Sequence, residues 1–207
     1  MLRAGGKCGE PLANFNVVAP SNHLRARVEH EIRTTYWERF QARLALLPRT
    51  LIASVSASGT IECAAGVRFS DTDFFSECYL DLPLEIALQH RFGLTVQRRR
   101  IIEVCNLAGR TPGRSLPFIA SFIAFAESDE FDWVIFTATK SLRALLERSG
   151  LRMTQLARAE RFRVPNPSDW GTYYEHDPRV MAVHRDASQG YRRSRRGQVS
   201  TEACANA

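Results

Sequence analysis

Residues 101–115 read IIEVCNLAGRTPGRS, and LPFIASFIAFA follows from residue 116. The first part is an apolar run suited to a strand buried on both faces, broken by one acid, Glu103. The middle is a loop dense in Gly and Arg. The last part is almost continuously apolar and predicts a buried helix over 115–128. A second pair of the same kind follows: FDWVIFTAT as a buried strand, then KSLRALLERSG as a short helix stopped by Gly150. Strand–helix–strand in this order makes a right-handed parallel crossover. Open sheets bind ligands beyond the carboxyl ends of their strands, and the Gly/Arg loop lies at such an end.

Working outward, SNHLRARVEHEIRTTYWERFQARLALL predicts one long helix over 21–47, capped by Ser21 or Asn22 and closed by Pro48. Trp37 and Phe40 are expected in its core face. FNVVA before it could pair as an edge strand. TLIASVSA and TIECAAGVRF flank Ser58-Gly59 and predict a β-hairpin. The segment 71–93 reads as a loop and then a helix ending at Gly93. After the second crossover come a kinked strand (RMTQLARAERFRV), a turn-rich stretch (PNPSDWGTYYEHD) and a last strand (RVMAVH). This order predicts an α/β fold, a mixed β-sheet with helices on both faces. Residues 1–19 are expected to be an arm, 20–185 one domain, and 186–207 a disordered basic tail with little to bury.

At 207 residues, 44% hydrophobic and 24% charged, the chain suits one globular domain. Its net charge of +6 is carried almost wholly by Arg, with Lys7 and Lys140 the only lysines, and part of it lies in the tail YRRSRRGQ. An acidic small molecule or an acidic carrier protein fits that charge at least as well as nucleic acid, and no nucleic-acid partner is expected. The five cysteines, Cys8, Cys63, Cys78, Cys105 and Cys204, are odd in number and show no C-x-x-C spacing, against zinc and thioredoxin-like sites. Reduced thiols and the lack of a signal-like N-terminus predict the cytoplasm. The longest apolar run, 116–126, is too short to span a bilayer, so no transmembrane segment is expected. No metal-ligand spacing links the histidines.

Arg110–Ser115, RTPGRS, fits the pattern Gln/Arg-x-x-Gly-x-Gly/Ala with Ser in the last place. A helix N-terminus offers unpaired N–H groups and a positive dipole end. Gly113 lets the backbone approach phosphate oxygens, and Arg110 and Arg114 add charge-assisted hydrogen bonds. The segment thus resembles the pyrophosphate-binding turn of the GNAT superfamily of N-acyltransferases. Read structurally, it is a tight turn with surface arginines. CAAGVRFSDTDFFSECYLD, RIIEVCNLAG, WVIFTATKSLRALLERSGL and WGTYYEHDPRVMAVH together resemble the bacterial thermostable haemolysin family over about residues 20–185. The same segments are distantly similar to acyl-homoserine lactone synthases, which share the GNAT-like fold and use acyl-carrier-protein thioesters. In those enzymes a strand with Gly and Arg precedes one with Glu; here Gly66-Val67-Arg68 precedes Glu103. After the acid this chain has Val-Cys-Asn where the synthases place Ser-Arg close by.

Glu103 is the candidate general base, because a carboxylate in an apolar strand has its pKa raised by burial. The alternative is an ion pair with Arg68 or Arg99. Arg68 could bind a substrate carboxylate or be an exposed strand-end Arg. Asn106 could orient substrate or cap a turn. Thr137 and Thr139 could bond a thioester or amide, or meet backbone. Cys105 reads as buried core. Tyr173 or Tyr174 could protonate the departing thiol, as a Tyr does in many GNAT enzymes, or pack over a loop. The resemblance implies Arg110, Gly113, Arg114 and Ser115 as donor-binding residues, with acyl carrier protein or CoA thioester as co-substrate, no permanently bound cofactor, and a small amine as acceptor. Two other classes stay open: a membrane-active protein, as the haemolysin name implies, and a GNAT-like binder without catalysis.

Overall fold

The computed structural model describes residues 15–109, 112–128 and 131–187; for residues 112–114 only the backbone is described. The N-terminal arm up to residue 14 and the basic tail from residue 188 lie outside the described residues.

Seven strands form one sheet in the order β1-β2-β3-β4-β5-β7-β6. They are β1 (Asn16–Val18), β2 (Thr50–Val55), β3 (Ile61–Arg68), β4 (Ile101–Gly109), β5 (Trp133–Ala138), β6 (Thr154–Arg158) and β7 (Arg179–His184). Only β4 and β5 run parallel; the other neighbours are antiparallel. The expected hairpin is β2–β3, turning at Gly59 with φ +80°. Among the described residues of the expected arm, Asn16–Val18 pair with β2 as an edge strand.

Four helices cover both faces: α1 (Arg25–Phe40), α2 (Leu84–Phe92), α3 (Pro112–Ser128) and α4 (Lys140–Arg148). Residues alternate across a strand, so Ile102 and Val134 pack with Phe118, Phe122 and Ile123 of α3, while Ile101, Trp133 and Ile135 pack with Leu84 and Leu88 of α2. On the α2 face, α1 places Val28, Ile32 and Tyr36 against Leu51, Ala53 and Ala64. Trp133 is in the core as expected.

Two expectations for α1 are corrected. The helix stops at Phe40 rather than Leu47, and Asn22 Oδ1 accepts a bond from the Leu24 N–H (2.9 Å) just before its start. Gln41 takes φ +56°, and the Phe40 carbonyl accepts from Thr172 N–H (2.8 Å), a residue far along the chain. That contact ends the helical ladder; Ala42 and Leu44 are buried outside the helix instead. Gly171 makes the approach possible, since a Cβ there would collide with Phe40 O. Trp37 is not core: it is 44% exposed, with the Arg43 guanidinium 5.3 Å from its ring centroid.

Candidate active site in the gap between two strands

β4 and β5 pair through four residues, ending at Val104 with Phe136. Beyond that pair they separate. The cause lies in β4. Its pairing with β3 slips between Gly66–Cys105 and Ala64–Ala108, where three residues of β4 are spanned against two of β3. Asn106 sits in this bulge with φ +53°. The extra residue reverses the alternation: Ile102 and Val104 face α3, yet Ala108 faces α1. The middle of β4, Val104 to Leu107, read from sequence as buried on both faces, is therefore only half-buried, and burial resumes at Ala108 and Gly109. Asn106 does not cap a turn; it makes a bulge inside a strand.

A cavity of about 420 Å³ occupies the gap. On the α3–α4 side it is lined by apolar side chains, among them Phe118, Ile119, Phe122, Phe136, Leu142 and Leu146. On the α1 side it is lined by Tyr36, Arg39, Asn106, Thr137, Thr139 and Tyr173. The cavity thus runs from one face of the sheet to the other, greasy at one end and polar at the other.

The sequence candidates divide sharply. Asn106, Ser115, Thr137, Thr139 and Tyr173 all reach this cavity. Thr139 also caps α4, accepting from Leu142 N–H. Tyr173 is buried in an aromatic cluster, stacked on Tyr36 at 6.1 Å and edge-on to Phe40 at 5.2 Å. Burial, and then the neighbouring Tyr36, hold its phenol protonated by raising its pKa well above the ordinary value. Tyr174 turns away and bonds the Tyr79 hydroxyl at 2.7 Å. Cys105 lines the cavity rather than filling the core; burial pushes its thiol up to about 12. Ser115 lies at the start of α3, against Gly109. Arg110 lies outside the described residues; Gly113 and Arg114 are in the first turn of α3, where only the backbone is described.

Arg68 and Glu103 are not in the cavity wall. They are paired neighbours on β3 and β4. Glu103 is 1% exposed and lies under the 3-10 turn Phe75–Tyr79. Its Oε2 accepts from Phe75 N–H (2.6 Å); its Oε1 accepts from Ser76 N–H (2.8 Å) and from the Ser76 hydroxyl. Neither Arg68 nor Arg99 forms an ion pair with it among the described residues. Burial raises its pKa above the ordinary carboxylate value, against the opposing pull of these three donors and of the Arg68 charge. Arg68 donates to Asp73 O at 3.2 Å, and its buried Nε has no partner.

Sequence reasoning missed Ser76, Tyr36 and Arg39. Ser76 carried no local signal, and Tyr36 and Arg39 sit in a helix read only for its core face. No group of His, Cys, Asp or Glu among the described residues could hold a metal. None of the described helices is long and apolar enough to cross a membrane.

A mixed sheet with one parallel pair splayed by a bulge, and a helix starting at the end of the first splayed strand, defines a GNAT-like fold. The chain belongs to the thermostable haemolysin family, whose sequence profile matches residues 18–189. The fold is similar to that of FeeM, an N-acyl amino acid synthase from uncultured soil microbes, at 12% identity and TM-score 0.57, covering 85% of this chain and 98% of that one. It is also similar to two CoA-dependent acyl-homoserine lactone synthases. MesI is 13% identical with TM-score 0.53, covering 87% of this chain and 94% of the other. BjaI, solved with SAM and isopentyl-CoA, is 11% identical with TM-score 0.56, covering 86% and 87%. At these identities the likeness is one of fold. No curated protein matches the chain by sequence.

Proposed function

We propose that the protein is an N-acyltransferase that moves an acyl group from an acyl-carrier-protein or CoA thioester to an amine such as an amino acid. The observation that carries this reading is the cavity through the splayed sheet, with an apolar end for an acyl chain and a polar end for a reacting centre. Cavities of this size, apolar with a few convergent polar groups, are the usual form of small-molecule sites. The named activities of FeeM, MesI and BjaI, which share the fold, support it.

In this reading the thioester arm lies between β4 and β5, where unpaired strand edges offer backbone hydrogen bonds. Its phosphate meets the N-terminus of α3 with Arg110, Gly113, Arg114 and Ser115. The acyl chain fills the space below Phe118, Phe122 and Leu142. The carbonyl lies near Asn106, Thr137 and Thr139, and the amine enters beside Tyr36 and Tyr173. Glu103 is the base for the amine, and the high pKa of Tyr173 suits it to protonate the departing sulfur. Arg68 holds positive charge beside Glu103. Arg39 and Arg148 supply cationic groups in the cavity wall for an anionic substrate. We read the compartment as the cytoplasm, which the free thiols of Cys63, Cys78 and Cys105 support.

The test is purified protein offered acyl-CoA and acyl-carrier-protein thioesters of several lengths with a panel of amino acids. Thiol release together with an N-acyl product in the mass spectrum is the expected result. Leakage of dye-loaded liposomes with no thiol release from any thioester would overturn it in favour of a membrane-active protein.

A further inference from the structure

Glu103 poses a geometric problem for acyl transfer. A general base must be linked by hydrogen bonds to the proton it takes, directly or through bridging groups. Glu103 is 1% exposed and contributes nothing to the cavity wall. One of its partners leads there. Ser76 is wholly buried, and its hydroxyl touches two groups: Glu103 Oε1 and, at 3.4 Å, Thr137 Oγ1. Thr137 is in the cavity wall. It is also the first residue of β5 past the last β4–β5 pair, Val104 with Phe136, so it stands at the vertex of the splay.

We propose that Thr137 and Ser76 form the proton path between the acceptor amine in the cavity and the buried Glu103. The inference rests on the acyl-transfer reading above. The direction of the hydrogen bonds supports it. A hydroxyl has one proton to give and lone pairs to accept with. The Ser76 hydroxyl gives its proton to Glu103, so towards Thr137 it is an acceptor. Thr137 then gives its proton to Ser76 and keeps a lone pair facing the cavity. The chain has one polarity, from amine to Thr137 to Ser76 to Glu103. The Phe75 and Ser76 N–H groups hold the carboxylate so that Oε1 stays on this chain. The 3.4 Å link is long, as catalytic contacts commonly are before substrate binds.

The step balances. An acceptor ammonium gives one proton to Thr137 Oγ1 while Thr137 passes its own to Ser76 and Ser76 passes its own to Glu103. The freed nitrogen lone pair forms the C–N bond to the thioester carbonyl carbon. The C–S bond breaks, sulfur keeps the electron pair, and the second N–H proton goes to sulfur. Glu103 returns its proton through the same hydroxyls to water after product leaves. The ionisable side chains that face Glu103 are Arg68 on β3, Cys105 on β4 and Cys78 in the turn above it.

The experiment compares wild type, Glu103→Gln, Thr137→Val, Thr137→Ser and Ser76→Ala with one thioester and one amino acid across pH. The path predicts that Thr137→Val and Ser76→Ala each lose roughly a hundredfold or more in kcat near neutral pH, the scale of positioned proton transfer. KM for the thioester stays near the wild-type value. Thr137→Ser keeps the hydroxyl and retains most of the activity. The deficit of Thr137→Val shrinks as pH rises and the amine arrives already deprotonated. Ser76→Ala breaks the same path from a second residue, so the result does not hang on one variant's folding. If Glu103→Gln is inactive while Thr137→Val keeps the wild-type kcat and pH profile, the path is overturned and the acyl-transfer reading stands. Equal loss in Thr137→Ser and Thr137→Val also overturns the path. If wild type turns over no thioester with any amine, the acyl-transfer reading falls and takes the path with it.

Discussion

Gly109 brings the end of β4 directly against Ser115 in α3: a methyl group at position 109 would stand 2.7 Å from Ser115 Oγ and 3.3 Å from Cys63 Sγ. The strand and the helix it feeds are therefore joined with no spare room. That closeness keeps the first turn of α3 over the gap between β4 and β5. Gly109→Ala is expected to force this junction apart at a cost of about 1–3 kcal/mol. For a chain of this size each kcal/mol lowers Tm by roughly 2–4 °C. Adding Ser115→Ala removes the colliding oxygen and should recover part of the loss. A thermal melt of Gly109→Ala that matches wild type would show that the junction yields freely.

The 3-10 turn that holds Glu103 is itself anchored by Arg98, which bonds both oxygens of Glu77 and also Glu85 Oε2 at 2.8 Å. The Arg98 hydrogen bond holds the Glu77 carboxyl below its ordinary value of 4.5. A carboxyl depressed in the folded state stabilises above its unfolded pKa, and that stability is lost as pH falls through the folded value. Arg98→Met should cost about 1–2 kcal/mol at neutral pH. The gap to wild type in urea denaturation should narrow on acidification below about pH 4. Glu103 works in the opposite sense: its pKa is raised, so ionising it costs stability, and acidification through its folded pKa relieves that cost. A gap of equal size at neutral and acid pH would mean that Arg98 acts by packing alone.

If the apolar end of the cavity holds the acyl chain, kcat/KM should climb with chain length until the space is full. Each buried methylene contributes about 0.8 kcal/mol, or roughly a fourfold step. Leu142→Trp fills part of that space and should move the best substrate to a shorter chain. An unchanged length profile in the variant would place the chain elsewhere.

Arg110→Ala with Arg114→Ala should weaken binding of the phosphate-bearing donor at least tenfold, since each charge-assisted contact contributes roughly 1.5–3 kcal/mol. Titration with CoA against pantetheine checks this: the variant should lose affinity for the first and keep it for the second. Equal affinity of wild type and variant for CoA would leave RTPGRS a structural turn.

The element order was legible in residues 50–150 because it depends on local signals. Ser58-Gly59 marks the hairpin, Gly93 and Gly150 end helices, and the apolar runs of β4 and β5 each precede a helical pattern. The α1 boundary was not legible. Residues 41–47 are compatible with helix, and what stops it is Thr172, whose N–H and hydroxyl both donate to the Phe40 carbonyl from 132 residues away. The candidate site was half legible. The strand-end residues Thr137 and Thr139, and Ser115 in the RTPGRS segment, were found because ends of parallel strands are predictable from pattern.

By itself the sequence determined that a sheet with one parallel crossover would carry a lone acid in its central strand and a Gly/Arg turn directly after it. Periodicity and chain breakers act over a few residues, so they survive in one dimension. Only the tertiary structure decided which way those groups face. One extra residue at Asn106 reverses the alternation of β4 and opens the cavity, and nothing local in EVCNLAG announces it. The same register sends Glu103 to the α2 face, away from the cavity wall, under Ser76, 27 residues distant in sequence. A buried carboxylate must find donors wherever the fold brings them, and here the fold brings a hydroxyl that also touches Thr137.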